Sequence, residues 1–249
     1  MAEREFEGQV GIITGGANGI GLAIAKLLAE RGGSVALWDV DGAKVASAAE
    51  SLSRATNAKV KGYAVDVTDE PAILKARDAT VKDFGRADVL VNNAGIYPHA
   101  TIKEITLESW KRMFDVNTKS MFLVTRALMD QMVKQHYGRV VTIVTEDAYI
   151  PKPTIPHYAA SKIALLSLIK TFALELAPHE VICTGVSPGP VATERAKSQS
   201  WLAERIPKIP VKRAAEPEDI AEVVLFLGSK RNRFVVGETV IANGGYVMV

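Results

Sequence analysis

Apolar residues arrive in short runs separated by longer stretches of helical periodicity. The first run, Val10–Thr14, is apolar at nearly every position and ends in a glycine cluster. Helical spacing then extends from Gly19 to Arg31, and a second run, Ser34–Trp38, stops at Asp39. The alternation continues with a helix over Gly42–Arg54, a strand over Val60–Val65, a helix over Pro71–Phe84 and a strand over Val89–Asn92. Long helical patterns occupy Leu107–Lys134, His157–Ala177 and Pro217–Leu227. Strands fall between them at Val140–Val144 and Val181–Val186, with a short one at Thr239–Ala242.

Strands that alternate with helices pair in parallel, because each parallel connection must cross over the sheet. Runs that are apolar on both faces indicate a sheet covered by helices on both sides. The pattern therefore predicts an α/β fold: a doubly wound parallel sheet of Rossmann type, one domain over 1–249, without repeats or linkers. In such a fold ligands sit beyond the carboxyl ends of the strands, so residues at those ends carry the chemistry.

The first strand runs into Thr14-Gly15-Gly16-Ala17-Asn18-Gly19-Ile20-Gly21. Glycines there permit a tight turn, close approach of a pyrophosphate and close packing of helix on strand. The following helix offers free amides and the positive end of its dipole. Three residues separate the first and middle glycines, a wider spacing than the common dinucleotide fingerprint, but the placement between a first strand and a first helix fits one. Asp39, eighteen residues after Gly21, can accept both ribose hydroxyls of an adenosine and would repel a 2′-phosphate. Neither Val40 nor Asp41 supplies a cation. NAD is favoured over NADP; the alternative is that Asp39 only caps the next helix. Asp66 and Val67 close the third strand, where a carboxylate and an amide can meet an adenine edge, and Asn92-Asn93-Ala94-Gly95 closes the fourth.

Composition narrows the field of partners. Of 249 residues 48% are apolar and 23% charged, with a net charge of +2, and no basic cluster suits a phosphate backbone, which argues against nucleic acid. The lone Cys183 fits a reducing compartment. Met1–Gly8 lacks an apolar leader, and the longest apolar runs, such as Val223–Leu227, are far too short for a membrane span. A cytoplasmic protein without membrane attachment is expected. The four histidines, His99, His136, His157 and His179, lack metal-ligand spacing.

Tyr158 and Lys162 stand four apart at the start of a helical pattern and so share a face. An ammonium beside a phenol favours the phenolate and brings its pKa down from about 10. An alcohol that loses hydride must also lose its hydroxyl proton, and such a pair can take it. Alone, a Tyr-x-x-x-Lys pair is a common surface feature. After a dinucleotide turn and several βα units, it points to proton transfer.

With these motifs in order, the chain resembles the classical short-chain dehydrogenases/reductases over almost its whole length. The glycine turn, Asn92–Gly95, Tyr158-Ala159-Ala160-Ser161-Lys162 and Pro188-Gly189-Pro190-Val191-Ala192-Thr193 carry the likeness. The resemblance implies an NAD(H)-dependent exchange of hydride between a secondary alcohol and a ketone. In it Tyr158 is the acid/base, Lys162 lowers its pKa and holds the nicotinamide ribose, and Asn117 supports a water and the proton relay. Pro188–Thr193 would contact the nicotinamide, with Val191 and Thr193 near its carboxamide.

One position departs from the family pattern. Thr145 stands thirteen residues before the tyrosine, where the family has serine, and Glu146 and Asp147 follow it. A threonine hydroxyl still donates a hydrogen bond, while its methyl stiffens and crowds the site. Either Thr145 replaces the serine, or the enzyme is slow or inactive on ordinary carbonyls.

Two segments bear on the substrate. Glu146–Pro156, with Tyr149, Ile150, Ile155 and three prolines, reads as a stiff, partly apolar loop beside the reacting carbon. The stretch 190–213, with Trp201, Leu202, Ile206 and Ile209, is either a core stripe or, as the resemblance implies, a lid over the substrate. Tyr97 and His99 can line the same pocket. A small to medium, mostly apolar alcohol or ketone is expected, although Glu146 and Asp147 favour a more polar one. The resemblance also implies a homotetramer joined through the long helices and the apolar end Tyr246–Val249. An NADP-dependent reductase of the same fold is opposed by Asp39. A catalytically weak NAD(H) sensor is opposed by Tyr158, Lys162 and Asn117 together.

Overall fold

The structure, a computed structural model, describes residues 4–150 and 152–249. Met1–Glu3, the start of the stretch Met1–Gly8, and Pro151 of the Glu146–Pro156 loop lie outside the described residues. In chain order the elements are β1 (Val10–Thr14), α1 (Gly19–Glu30), β2 (Ser34–Asp39), α2 (Gly42–Thr56), β3 (Val60–Ala64), α3 (Glu70–Phe84) and β4 (Val89–Asn92). Then come α4 (Leu107–Phe114), a π turn (Asp115–Lys119), α5 (Ser120–Lys134), β5 (Gly138–Ile143), α6 (Pro156–Leu176) and β6 (Val181–Pro188). The chain ends with α7 (Glu194–Lys197), α8 (Ser200–Arg205), α9 (Pro217–Gly228) and β7 (Thr239–Ala242).

All seven strands pair in parallel, in the order β3-β2-β1-β4-β5-β6-β7. The order reverses between β1 and β4, and a crevice opens at that point beyond the carboxyl ends. Strand side chains alternate between faces. Ile13, Leu37 and Val91 pack with α1, α2 and α9, while Ile12, Trp38 and Leu90 pack with α3, α5 and α6. Leu28 of α1 fits only because Gly11 and Gly33 lack side chains: a Cβ on either would lie 2.6 or 2.2 Å from its methyl groups.

Helix starts follow local chemistry. Asp41 caps α2 by accepting the Lys44 amide, Thr106 and Ser109 form a reciprocal box on α4, and α3, α6 and α9 each carry proline in the first turn. The helix expected over Leu107–Lys134 is interrupted by the π turn. There the Asn117 side chain bonds sideways to Ile96, and the wider turn accommodates it.

Segment 190–213 is folded rather than extended. Ala192, Ala196, Leu202 and Ala214 form a small apolar cluster of their own, against which Trp201 and Ile206 pack. Leu202 faces inward in this cluster, and Trp201 also borders the cavity described below. Among the described residues no helix is long and apolar enough to cross a membrane.

Candidate active site

The glycine turn is shaped by main-chain demands. Gly15 and Gly19 adopt φ of 61° and 54°, a region side chains disfavour. Gly21 is required for another reason: a Cβ there would lie 2.3 Å from the Gly15 carbonyl oxygen. The turn is clamped to β4. Thr14 Oγ1 accepts the amides of Asn93 and Ala94, each at 3.0 Å, and Asn93 Nδ2 donates to the carbonyls of Thr14 and Gly15 at 2.9 and 3.0 Å. The Asn93 side chain is thus committed to bracing the turn; what it leaves toward the cavity is main chain.

No side chain caps α1, whose Asn18 makes no cap bond and whose first turn carries no acid. Its first amides remain available to an anion. Asp39 does not cap α2, since Asp41 does. Its Oδ2 accepts the Ala17 amide at 3.1 Å and its Oδ1 the Asp41 amide at 3.2 Å, which fixes the carboxylate at the edge of the crevice. Asp66 accepts both the amide and the hydroxyl of Thr68, and its pKa lies below the ordinary carboxylate value: those two bonds, helped by the charges of Arg112 and Lys119, outweigh its burial.

A cavity of about 750 Å³ runs from Asp39 to Trp201 along the strand ends. Gly15, Asn18, Gly19, Ile20, Asp66, Val67, Gly95, Pro188, Gly189, Val191 and Thr193 border it, as do Thr145, Tyr158 and Lys162. Of the residues given catalytic or cofactor roles from the sequence, Gly21 and Asn117 stand behind its wall. Asn117 is buried; its Nδ2 donates to the Ile96 carbonyl at 2.9 Å and to Ser161 Oγ at 3.1 Å, and its Oδ1 accepts the Ile96 amide. That side chain ties the π turn to α6. The Thr193 hydroxyl caps α7 through the Ala196 amide.

At the cavity floor Lys162 is 4% exposed, and Nζ donates to the Ile143 carbonyl at 2.8 Å. Burial brings its pKa down to about 8. Tyr158 moves the other way. Burial, then the charge of Asp147, push its hydroxyl above the ordinary value, while the Thr145 side chain opposes the rise. The Lys162 ammonium, desolvated and engaged with the Ile143 carbonyl, is not among the groups that set this direction. Tyr97 meets Tyr158 edge to face, with ring centres 6.2 Å apart.

The substrate end is more charged than the sequence suggests. Thr145 Oγ1 accepts the Asp147 amide at 3.2 Å. Glu146, 1% exposed, has its pKa pushed up to about 7 by burial, with Lys152 acting against the rise. Lys152 and Arg205 border the cavity with these carboxylates. Neither cation stands out in the sequence, since each sits among ordinary surface charges there; only the folded loop brings them together. The Glu146–Pro156 loop is also less apolar toward the cavity than expected. Ile155 borders it, but Tyr149 packs against the core behind and Ile150 is exposed.

The family described as enoyl-(acyl carrier protein) reductase matches residues 15–247. The chain is 34% identical to the 3-oxoacyl-[acyl-carrier-protein] reductase FabG of Thermotoga maritima, over 98% of this chain and 99% of that one. Against FabG of Escherichia coli it is 33% identical over the same shares. Among solved structures, a 3-oxoacyl-[acyl-carrier protein] reductase with bound NAD from Brucella melitensis matches with a TM-score of 0.91 at 33% identity, covering 99% of this chain and 94% of that one. Fold, crevice and relatives together define an oxidoreductase with a nicotinamide-cofactor site. The chain belongs to the short-chain dehydrogenase/reductase family.

Proposed function

We propose that the chain is an NAD(H)-dependent oxidoreductase interconverting a secondary alcohol and a ketone, with Tyr158 as its acid/base. The observation that carries this is the sharing of one cavity by the uncapped glycine turn and Asp39 at one end and Tyr158 and Lys162 at the other. The residues present fit a dinucleotide: open α1 amides for the pyrophosphate, the Asp39 carboxylate for a ribose diol, and Val191 and Thr193 for a carboxamide. When bound, the nicotinamide supplies the hydride acceptor or donor.

The chain's own groups handle the proton. Tyr158 passes it to or takes it from the substrate oxygen, and the Thr145 hydroxyl donates a hydrogen bond to the same oxygen. A tyrosine held protonated by burial is set for the reductive direction, where it must give a proton. The names of the relatives, 3-oxoacyl thioester reductases, favour a second reading within the same chemistry, since a 3-oxoacyl thioester is itself a ketone. Assembly as a homotetramer is part of the proposal. Ile163 and Leu174 on α6 and Met248 and Val249 at the end of the chain are exposed apolar residues suited to subunit contacts; a gel-filtration mass of one chain would remove it.

The test pairs NADH or NADPH with a panel of ketones that includes a 3-oxoacyl thioester, and NAD⁺ or NADP⁺ with secondary alcohols, following nicotinamide absorbance. Turnover is expected with NAD(H), and replacing Asp39 by Ser should cut the preference over NADP(H) by about tenfold or more, the size of one lost charge-assisted hydrogen bond of roughly 1.5–3 kcal/mol. Silence across the panel while NADH still binds would leave the sensor reading.

A further inference from the structure

Glu146 and Asp147 follow Thr145 directly, and both carboxylates are buried at the substrate end of the cavity. Their negative charge bears on Tyr158 and favours its protonated form. Two cations face them. Lys152, on the same loop, pairs with Asp147 and stands 3.8 Å from Glu146. Arg205, the last residue of α8, reaches over from segment 190–213 to within 3.5 Å of Glu146 Oε1 and 3.8 Å of Asp147 Oδ1. The Trp201 ring backs its guanidinium at 5.2 Å, and Leu202, between them in sequence, anchors α8 in its apolar cluster.

His99, Arg112 and Glu194 also border the cavity, and several groups around Tyr158 are engaged or uncharged. Lys162 is held by the Ile143 carbonyl. Arg195 lies over the Tyr97 ring at 4.4 Å, and His157 is kept neutral by burial. Asn243, beside Glu146, carries no charge. The carboxylate pair thus has one counter-charge from its own loop and one delivered by α8.

We propose that Arg205 is a positioning residue that couples the seating of segment 190–213 to proton transfer: seated against Glu146 and Asp147 it neutralises the carboxylate pair beside Tyr158, and lifted away it leaves their charge on the tyrosine hydroxyl. This rests on the reading of Tyr158 as acid/base. It assigns α8 an electrostatic task in addition to covering the substrate, because the tyrosine exchanges its proton readily in both directions only with α8 in place. Arg205 needs no contact with the reacting atoms to do this.

The experiment is the pH profile of kcat for alcohol oxidation, in which Tyr158 must first lose its proton. Arg205→Gln should move the acidic limb to higher pH by about one unit, the low end of what losing a nearby opposite charge produces. Arg205→Lys should keep the parent midpoint. Arg205→Gln combined with Glu146→Gln should return it toward the parent, since one carboxylate is removed along with its counter-charge. NADH affinity, followed by fluorescence, controls for folding of each variant. An unmoved midpoint in Arg205→Gln, or a double variant that does not return, would overturn the inference and leave Arg205 a packing residue. Retained turnover in Tyr158→Phe would remove the acid/base reading itself, and the inference with it.

Discussion

The two ends of the cavity are built from different materials. At the cofactor end nearly every polar side chain bonds to main chain: Thr14 and Asn93 to each other's turns, Asp39 to the Ala17 and Asp41 amides. At the substrate end side chains bond to side chains, with Glu146 and Asp147 facing Lys152 and Arg205. A surface of main chain and glycine is fixed by backbone geometry and indifferent to pH, but it cannot tolerate an added carbon. A surface of paired charges tolerates changes of shape, yet it responds to protonation and to movement of any element that carries a partner. One end is specified by space and the other by charge.

Removing the Thr145 hydroxyl should disable the substrate end while sparing the cofactor end. Thr145→Ala is expected to lower turnover by about 10²–10³-fold, the usual loss of one hydrogen-bond donor to a reacting oxygen, with NADH binding kept. Thr145→Ser should restore most of it, because serine offers the same donor without the methyl. Unchanged turnover in the alanine variant would remove Thr145 from the site and weaken the contrast between the two ends.

The converse variant attacks the cofactor end. In Gly21→Ala the new Cβ would stand 2.3 Å from the Gly15 oxygen and 2.6 Å from Asn93 Nδ2, so the turn must open. Overpacking of this kind costs about 1–3 kcal/mol. NADH affinity and thermal stability should fall together, whereas Thr145→Ala, which gives up the bond from the Asp147 amide, should keep NADH affinity. Normal NADH binding by Gly21→Ala would mean that the turn yields, contrary to a site specified by space.

The same division explains what the sequence discloses. Motifs at the cofactor end are local: Gly15–Gly21 and Asn92–Gly95 are contiguous, and Asp39 ends a recognisable strand, so alternation and spacing place them at one edge of the sheet. What the sequence conceals there is how the side chains are used. The Asn93 side chain braces the glycine turn, and Asn117, read as support for a water and the proton relay, ties the π turn to α6; these contacts span dozens of residues, as between Asn117 and Ser161. At the substrate end, Lys152 and Arg205 are separated by fifty-three positions and come together only through the packing of α8. The direction in which Tyr158 titrates was hidden for the same reason: the spacing of Tyr158 and Lys162 reveals a shared face but neither their burial nor the carbonyl that takes the ammonium.

The smallest expected effect is on stability, and its sign tests whether the charged end is strained. Burial raises the Glu146 pKa from 4.5 to about 7 despite Lys152 and Arg205, so the folded state holds this proton more tightly than the unfolded chain does. Below pH 4.5 the carboxyl is protonated in both states and costs nothing. As pH rises from 4.5 to about 7 the unfolded chain releases the proton first, and stability is lost; above that window the full cost stands. Glu146→Gln mimics the protonated form at every pH. It should therefore match the parent below pH 4.5 and exceed it at pH 8 by about 1–3 kcal/mol, at roughly 1.4 kcal/mol per pKa unit discounted for its partners. Urea unfolding at the two pH values measures the difference. A glutamine variant less stable than the parent at pH 8 would mean that the pairs with Lys152 and Arg205 outweigh the burial, and that the substrate end is held together by its charges rather than strained by them.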